Sequence, residues 1–290
     1  MINYLVLSGG GQTFFSYVGI FDILYKKNYF QLDDIKSIYA TSAGSIVALL
    51  LCLDYKWDDI VDYIIRCPWE IKLKIGIDTA MNIFENKGLY SDNLFISMFK
   101  PLLTGKNLSL DVTLKELFLH SGISLHIYTF ELNEFEEIDL SHLTHPDLKV
   151  LEAIRMSCSI PLIISPICRD GKCFIDGGIK NNYPLDKCID IEKCNEENIL
   201  GIRNNYDDMK PITDESTIDD YIKILLKQFV RLNTNKEYTS ITNEIYIPTS
   251  GVSADLLLDA LCNIETRENI VKEGQEIALK YLEKMIIDSN

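Results

Sequence analysis

Three short stretches of this 290-residue chain combine residue types that carry out acyl-transfer chemistry. The first reads Ile38-Tyr39-Ala40-Thr41-Ser42-Ala43-Gly44-Ser45-Ile46-Val47. An apolar run ends in a serine among small residues, and a helical run follows at once. A serine at such a strand-to-helix turn has the form of a nucleophile elbow, small-x-Ser-x-Gly, with its side chain pushed out at the positive end of the helix. The turn is sharp, so the positions two before and two after the serine must be small, as Ala40 and Gly44 are. The second stretch, Tyr4-Leu5-Val6-Leu7-Ser8-Gly9-Gly10-Gly11-Gln12-Thr13-Phe14, ends an apolar strand in three glycines. Glycines there let backbone N–H groups converge on one anion at a helix start. The third, Cys173-Phe174-Ile175-Asp176-Gly177-Gly178-Ile179-Lys180-Asn181-Asn182-Tyr183-Pro184, ends a strand in an aspartate, and the two glycines after it allow close approach.

Each stretch alone has a plain structural reading. Ser42 caps a helix, Gly9-Gly10-Gly11 makes a turn, and Asp176 sits in another turn. A dinucleotide fingerprint would need glycine where the chain has Phe14, and a P-loop would need Gly-Lys-Ser/Thr, which is missing. A triad of α/β-hydrolase type would place a histidine after the aspartate. The four histidines, His120, His126, His142 and His145, all precede Asp176, and none has a motif around it.

Taken together and in this order, the three stretches resemble the patatin-like phospholipase family. Asn86-Lys87-Gly88-Leu89-Tyr90-Ser91 resembles the family's opening of a middle helix, and Leu151 to Pro161 resembles the helix and Ser-x-Ile-Pro turn before the aspartate's strand. The resemblance spans residues 1–205 and implies a three-layer α/β/α fold with a mostly parallel central sheet. It implies a catalytic dyad of Ser42 and Asp176 without histidine. It also implies an oxyanion site on the backbone N–H groups of Gly10 and Gly11, joined by Gly9 or Gln12. The expected reaction is hydrolysis of a carboxylic ester of a lipid, such as a phospholipid or lysophospholipid, through an acyl-enzyme. No metal or diffusible cofactor is implied. The family usually carries a basic residue and then glycine after the glycine run; here those positions are Thr13 and Phe14, and the elbow begins with Ala40 where glycine is usual. Thr13 and Phe14 motivate a rival reading, a catalytically weak lipid- or protein-binding module. An acyltransferase or thioesterase with the same dyad is a third.

Composition is that of a globular chain, 47% hydrophobic and 24% charged, read as a single domain over 1–290 with no motif in 206–290. A net charge of −15 opposes nucleic acid as a partner and broad adsorption to anionic membranes. A transient membrane-surface contact stays open through Arg66, Lys72 and Lys74 beside Trp69 and Ile71, against the ordinary reading of a solvated helix face with some packed apolar residues. The eight cysteines form no CxxC pair, which argues against zinc and for a reduced, intracellular protein. The chain starts directly on an apolar strand with no secretory signal, and its longest apolar run, Ile46 to Leu53, is too short to span a bilayer. Oligomeric state is not legible.

The motifs need elements to hold them. Strands are predicted at Ile2–Leu7, Ser37–Thr41, Ser124–Phe130, Lys172–Ile175, Ile199–Ile202 and Glu244–Ile247. Helices are predicted at Phe15–Lys27, Ala43–Leu53, Trp57–Cys67, Asp92–Leu103, Leu114–Ser121, Lys149–Ser157, Ile218–Leu232, Ala254–Asn263 and Arg267–Ile287. Ser91 and Ser253 suit helix N-caps, while Asp190–Asn198 and Asn204–Glu215 read as loops. The last helix carries a stripe of Ile270, Gly274, Ile277, Ala278, Tyr281, Leu282 and Met285, expected to pack on the body of the protein.

Overall fold

The computed structural model describes residues 1–69, 85–90, 93–206, 211–218, 220–222, 224–225, 227–228, 241–251 and 254–288. Ile71, Lys72, Lys74, Ser91, Asp92, Ser253 and, within the helix expected over Ile218–Leu232, residues 219, 223, 226 and 229–232 lie outside the described residues.

In chain order the strands are β1 (Tyr4–Leu7), β2 (Ser37–Thr41), β3 (Gly88–Tyr90), β4 (Ser124–Glu131), β5 (Glu136–Leu140), β6 (Leu162–Ile164), β7 (Ile167–Arg169), β8 (Lys172–Asp176), β9 (Ile199–Tyr206) and β10 (Asn243–Thr249). The helices are α1 (Phe14–Lys26), α2 (Ala43–Cys52), α3 (Trp57–Arg66), α4 (Asn93–Gly105), α5 (Leu114–Ser121), α6 (Val150–Cys158), α7 (Leu185–Glu192), α8 (Ala254–Cys262) and α9 (Ile264–Asp288). The main sheet runs β10-β9-β1-β2-β4-β8-β7. Its first five strands are mutually parallel, β8 runs antiparallel to β4 and β7 antiparallel to β8, and β3 pairs with β6 apart from the main sheet.

Burial on both faces explains the near-continuous apolar strands. Along β1 and β2, Leu5, Leu7, Ile38 and Ala40 join the larger core with α1, α2, α3 and α6. Tyr4, Val6 and Tyr39 point the other way and meet Leu185 and Cys188 of α7. The C-terminal helix α9 lies against α1, with Gly274 and Ala278 of its predicted stripe buried, and with Val271, outside that stripe, buried as well. The two helices cross where both are bare: a Cβ on Gly19 would lie 1.9 Å from Val271 O, and one on Gly274 would lie 2.1 Å from Ser16 O.

The structure adds elements that pattern alone missed. Strand β5 is rich in glutamate and aspartate, poor strand formers, yet it pairs with β4, and Glu137 reaches Lys187 at 3.0 Å. Strands β6 and β7 have three residues each, too few for a periodic signal. Asp190–Glu192, read as loop, closes α7, and Glu196–Asn198 forms a 3-10 turn. Asn204–Tyr206, also read as loop, extends β9. Trp69 follows the ordinary reading of its segment, in which some apolar residues pack inward. It is wholly buried against Tyr63, with its Nε1 donating to Ile64 O at 3.1 Å, and so it is no surface anchor.

Candidate active site

The register of β4 sets the site. Tyr128 pairs with Thr41, the last residue of β2, and the next residue, Thr129, pairs with Asp176, the last residue of β8. Strand β8 therefore takes up the edge of β4 where β2 leaves off, and Asp176 arrives beside the residue that follows Thr41. That residue is Ser42, whose Oγ donates to Asp176 Oδ2 at 2.6 Å.

Ser42 stands at the elbow with φ 49° and ψ −123°, outside the ordinary regions for an L-residue. The surroundings hold it there. Its N–H donates to Ser157 Oγ at 2.8 Å, while its carbonyl accepts from Ser45 N at 2.8 Å and Ser45 Oγ at 2.6 Å. A side chain at Gly44 would strike Leu7 O at 2.4 Å, which explains the small residue required after the serine. Both side chains of the pair are nearly sealed from solvent: Ser42 is 4% exposed and Asp176 6%.

Asp176 is fixed from three sides. Its Oδ1 accepts from Gly178 N at 2.7 Å, and its own N–H donates to Ser159 O at 2.9 Å. Gly177 passes so close to β4 that a Cβ would lie 2.2 Å from Tyr128 O. Burial raises the carboxyl from 3.8 to about 6, against the opposing pull of the hydrogen bonds from Ser42 and Gly178.

The glycine loop lies across from this pair. Gly9 packs on the elbow, since a Cβ there would lie 2.8 Å from Ser42 Cβ. Its N–H is taken by Asn182 O at 3.1 Å, so of the four amides expected at the oxyanion site, that of Gly9 is engaged elsewhere. Its carbonyl accepts from the side chains of Asn182 and Asn204. Gly10 and Gly11 keep their amides without a protein acceptor among the described residues. The Gln12 side chain turns away and donates to Gly251 O at 2.7 Å. Sequence reasoning missed Asn182, Asn204, Ser157 and Ser159. The visible signals were the polar Asn181-Asn182 pair after the glycines, an asparagine within apolar β9, and the serines flanking Cys158.

An apolar cavity of about 60 Å³ opens beside Ser42, lined by Gly11, Phe14, Ile46, Phe95, Met98 and Leu257 among others. Phe14 forms part of its wall. The histidines sit apart: His126 stacks on Tyr39 and meets Asp139 at 2.8 Å, and His142 stacks on Phe118. Among the described residues no cluster of His, Cys, Asp and Glu could hold a metal ion. Among them, too, no helix is long and apolar enough to cross a membrane.

Fold and site define a class: an α/β protein that presents a buried serine–carboxylate pair over a glycine loop at the ends of parallel strands. A family model for patatin-like phospholipases matches residues 5–189, and the chain belongs to that family. Probable lipid hydrolase 463L of Invertebrate iridescent virus 6 is 29% identical over 187 residues, which cover 64% of this chain and 62% of that protein. Triacylglycerol lipase 4 of Saccharomyces cerevisiae is 27% identical over 301 residues, 90% of this chain and 31% of that one. The crystal structure of VipD from Legionella pneumophila has the same fold, with a TM-score of 0.58 at 18% identity over 98% of this chain and 67% of that chain.

Proposed function

We propose that this protein is a serine acyl hydrolase that cleaves carboxylic esters of lipids, of phospholipase A or lysophospholipase type, through Ser42 and Asp176. The observation that carries the reading is the 2.6 Å hydrogen bond from Ser42 Oγ to a buried carboxylate. Ser42 Oγ attacks the ester carbonyl carbon while its proton passes to Asp176 Oδ2. A carboxylate is ordinarily a weak base for a hydroxyl, and a value near 6 brings Asp176 closer to the range useful at neutral pH. The oxyanion that forms faces the amides of Gly10 and Gly11, supported by the positive end of α2. Asp176 returns the proton to the departing alcohol, leaving an acyl group on Ser42. Asp176 then takes a proton from water as its oxygen attacks the acyl carbon, the bond from that carbon to Ser42 Oγ breaks, and the proton passes from Asp176 to Ser42 Oγ, freeing the acid.

The apolar wall of Phe14, Ile46, Phe95, Met98 and Leu257 suits an acyl chain and offers nothing to a polar substituent. The cavity is well below the ~300–1,000 Å³ common for small-molecule sites, so a long chain enters only as the side chains of α4 and α8 swing aside. The small volume of the cavity is also what favours the rival reading of a weakly active binding module.

A fluorophosphonate probe separates the two. An activated serine is labelled at Ser42, and Ser42→Ala abolishes labelling and lowers kcat on lipid esters by up to ~10⁶. A wild-type protein that takes no label and turns over no ester in a lipid panel is a binding module. Panels that include alcohol acceptors and acyl thioesters separate hydrolase from acyltransferase and thioesterase.

A further inference from the structure

The hairpin that ends at Asp176 carries two cysteines that the proposed chemistry does not use. Strands β7 and β8 are joined by Asp170 and Gly171 alone, with φ of 52° and 76°, a two-residue turn of type I′. In such a hairpin the flanking residues, Arg169 and Lys172, are the hydrogen-bonded pair, and the next pair outward is not hydrogen-bonded. That next pair is Cys168 and Cys173. Non-hydrogen-bonded partners bring their Cα atoms to ~4.5 Å with side chains on the same face, within the range a disulfide bridges without backbone movement. The backbone groups of Cys173 agree with this placing. Its N–H donates to Glu131 Oε1 at 2.7 Å and its carbonyl accepts from Leu132 N at 2.8 Å, both across the opposite edge.

Both sulfurs are free thiols in the structure; Cys168 is exposed and Cys173 half-buried. Burial, then the neighbouring Cys168 thiol and Glu131, push the Cys173 thiol up to about 12, while Lys87 nearby works the other way. The exposed thiol therefore meets an oxidant first, and the covered one lies against it as the partner.

We propose that Cys168 and Cys173 are a redox-active dithiol that closes reversibly into a cross-strand disulfide when the protein meets a peroxide-class oxidant. The Cys168 thiolate attacks one peroxide oxygen: an S–O bond forms, the O–O bond breaks, and the second oxygen leaves as water after protonation. Cys173 then attacks the sulfur of the Cys168 sulfenic acid, the S–S bond forms, and the S–O bond breaks to release a second water. Two thiols and one peroxide become one disulfide and two waters, and a thiol reductant reverses the change.

The pair is convenient to read because Arg169 and Lys172 lie between the two cysteines. Trypsin places them on separate peptides, Met156–Arg169 and Cys173–Lys180, that stay together only through a disulfide. Full-length protein treated with hydrogen peroxide and digested without reductant should yield this linked pair, two hydrogens lighter than its sum and separable by dithiothreitol. Cys158 shares the first peptide, so the link must vanish in Cys168→Ser and persist in Cys158→Ser. In Cys173→Ser the sulfenic acid has no resolving thiol, and Cys168 should become trappable by dimedone. The proposal is overturned if peroxide leaves both thiols free, drives Cys168 to sulfinic acid without a link, or bridges Cys188 and Cys194 instead.

Discussion

At the scale of the residue, the decisive group is a carboxylate kept out of water. A buried carboxyl raised to about 6 holds its proton more tightly in the folded protein than in the unfolded chain, where 3.8 is the reference. The sign of its stability contribution follows: the ionised group costs stability. The cost is absent below about pH 4, grows as pH rises toward 6, and is complete above that. Asp176→Asn should therefore stabilise the protein at pH 7.5 by about 1–3 kcal/mol, with the gain fading toward pH 4, while kcat falls by ~10⁴ or more. Thermal unfolding of both proteins across that pH range checks it, and a gain that grows toward acid would contradict the burial argument. The same group sets the pH profile. With Asp176 as base, kcat/KM should fall about tenfold per pH unit below a break near 6 and level off above it.

At the scale of the element, the site depends on how closely β8 and β2 share one edge of β4. Gly177 has a part in this, because a Cβ there would press on Tyr128 O at 2.2 Å, a backbone atom that cannot swing away. Gly177→Ala should push Asp176 out of line with Ser42, and a displacement of about 1 Å is enough to cost roughly 10² in kcat. A variant with unchanged rate would mean that the Ser42–Asp176 distance tolerates movement of β8. The crossing of α1 and α9 makes a second test. Gly274→Ala would drive a methyl group into Ser16 O and should destabilise the protein by about 1–3 kcal/mol, read by urea unfolding. The motif residues were legible because they must be small or catalytic by type. The partners that hold them, Ser157 on the elbow and Asn182 and Asn204 on Gly9, are ordinary polar residues whose role depends on distant chain.

At the scale of the whole molecule, charge governs how the site meets a lipid surface. A net charge of −15 repels anionic bilayers, and the repulsion falls with the Debye length, from ~10 Å at 0.1 M salt to ~3 Å at 1 M. Hydrolysis of esters in anionic vesicles should therefore speed up as salt rises, whereas hydrolysis in zwitterionic vesicles should change little. Vesicle assays at low and high salt decide this. A rate on anionic vesicles that falls with salt would reveal a basic contact surface strong enough to override the total charge.

The amino-acid order by itself determined the family and the strand–glycine and strand–serine junctions, because those are local demands, whereas the pairing of Ser42 with Asp176, 134 residues away, was implied only by the family resemblance. A sharp elbow needs small neighbours, and an anion cradle needs glycines. It left β5, β6, β7 and α7 unread, since acidic edge strands, three-residue strands and a short charged helix are stable only through what they touch. Only the tertiary structure decided which amides remain at the glycine loop, that Trp69 turns inward, and that Phe14 forms the cavity wall. Each of these rests on contacts between residues far apart in the chain, which no local pattern encodes.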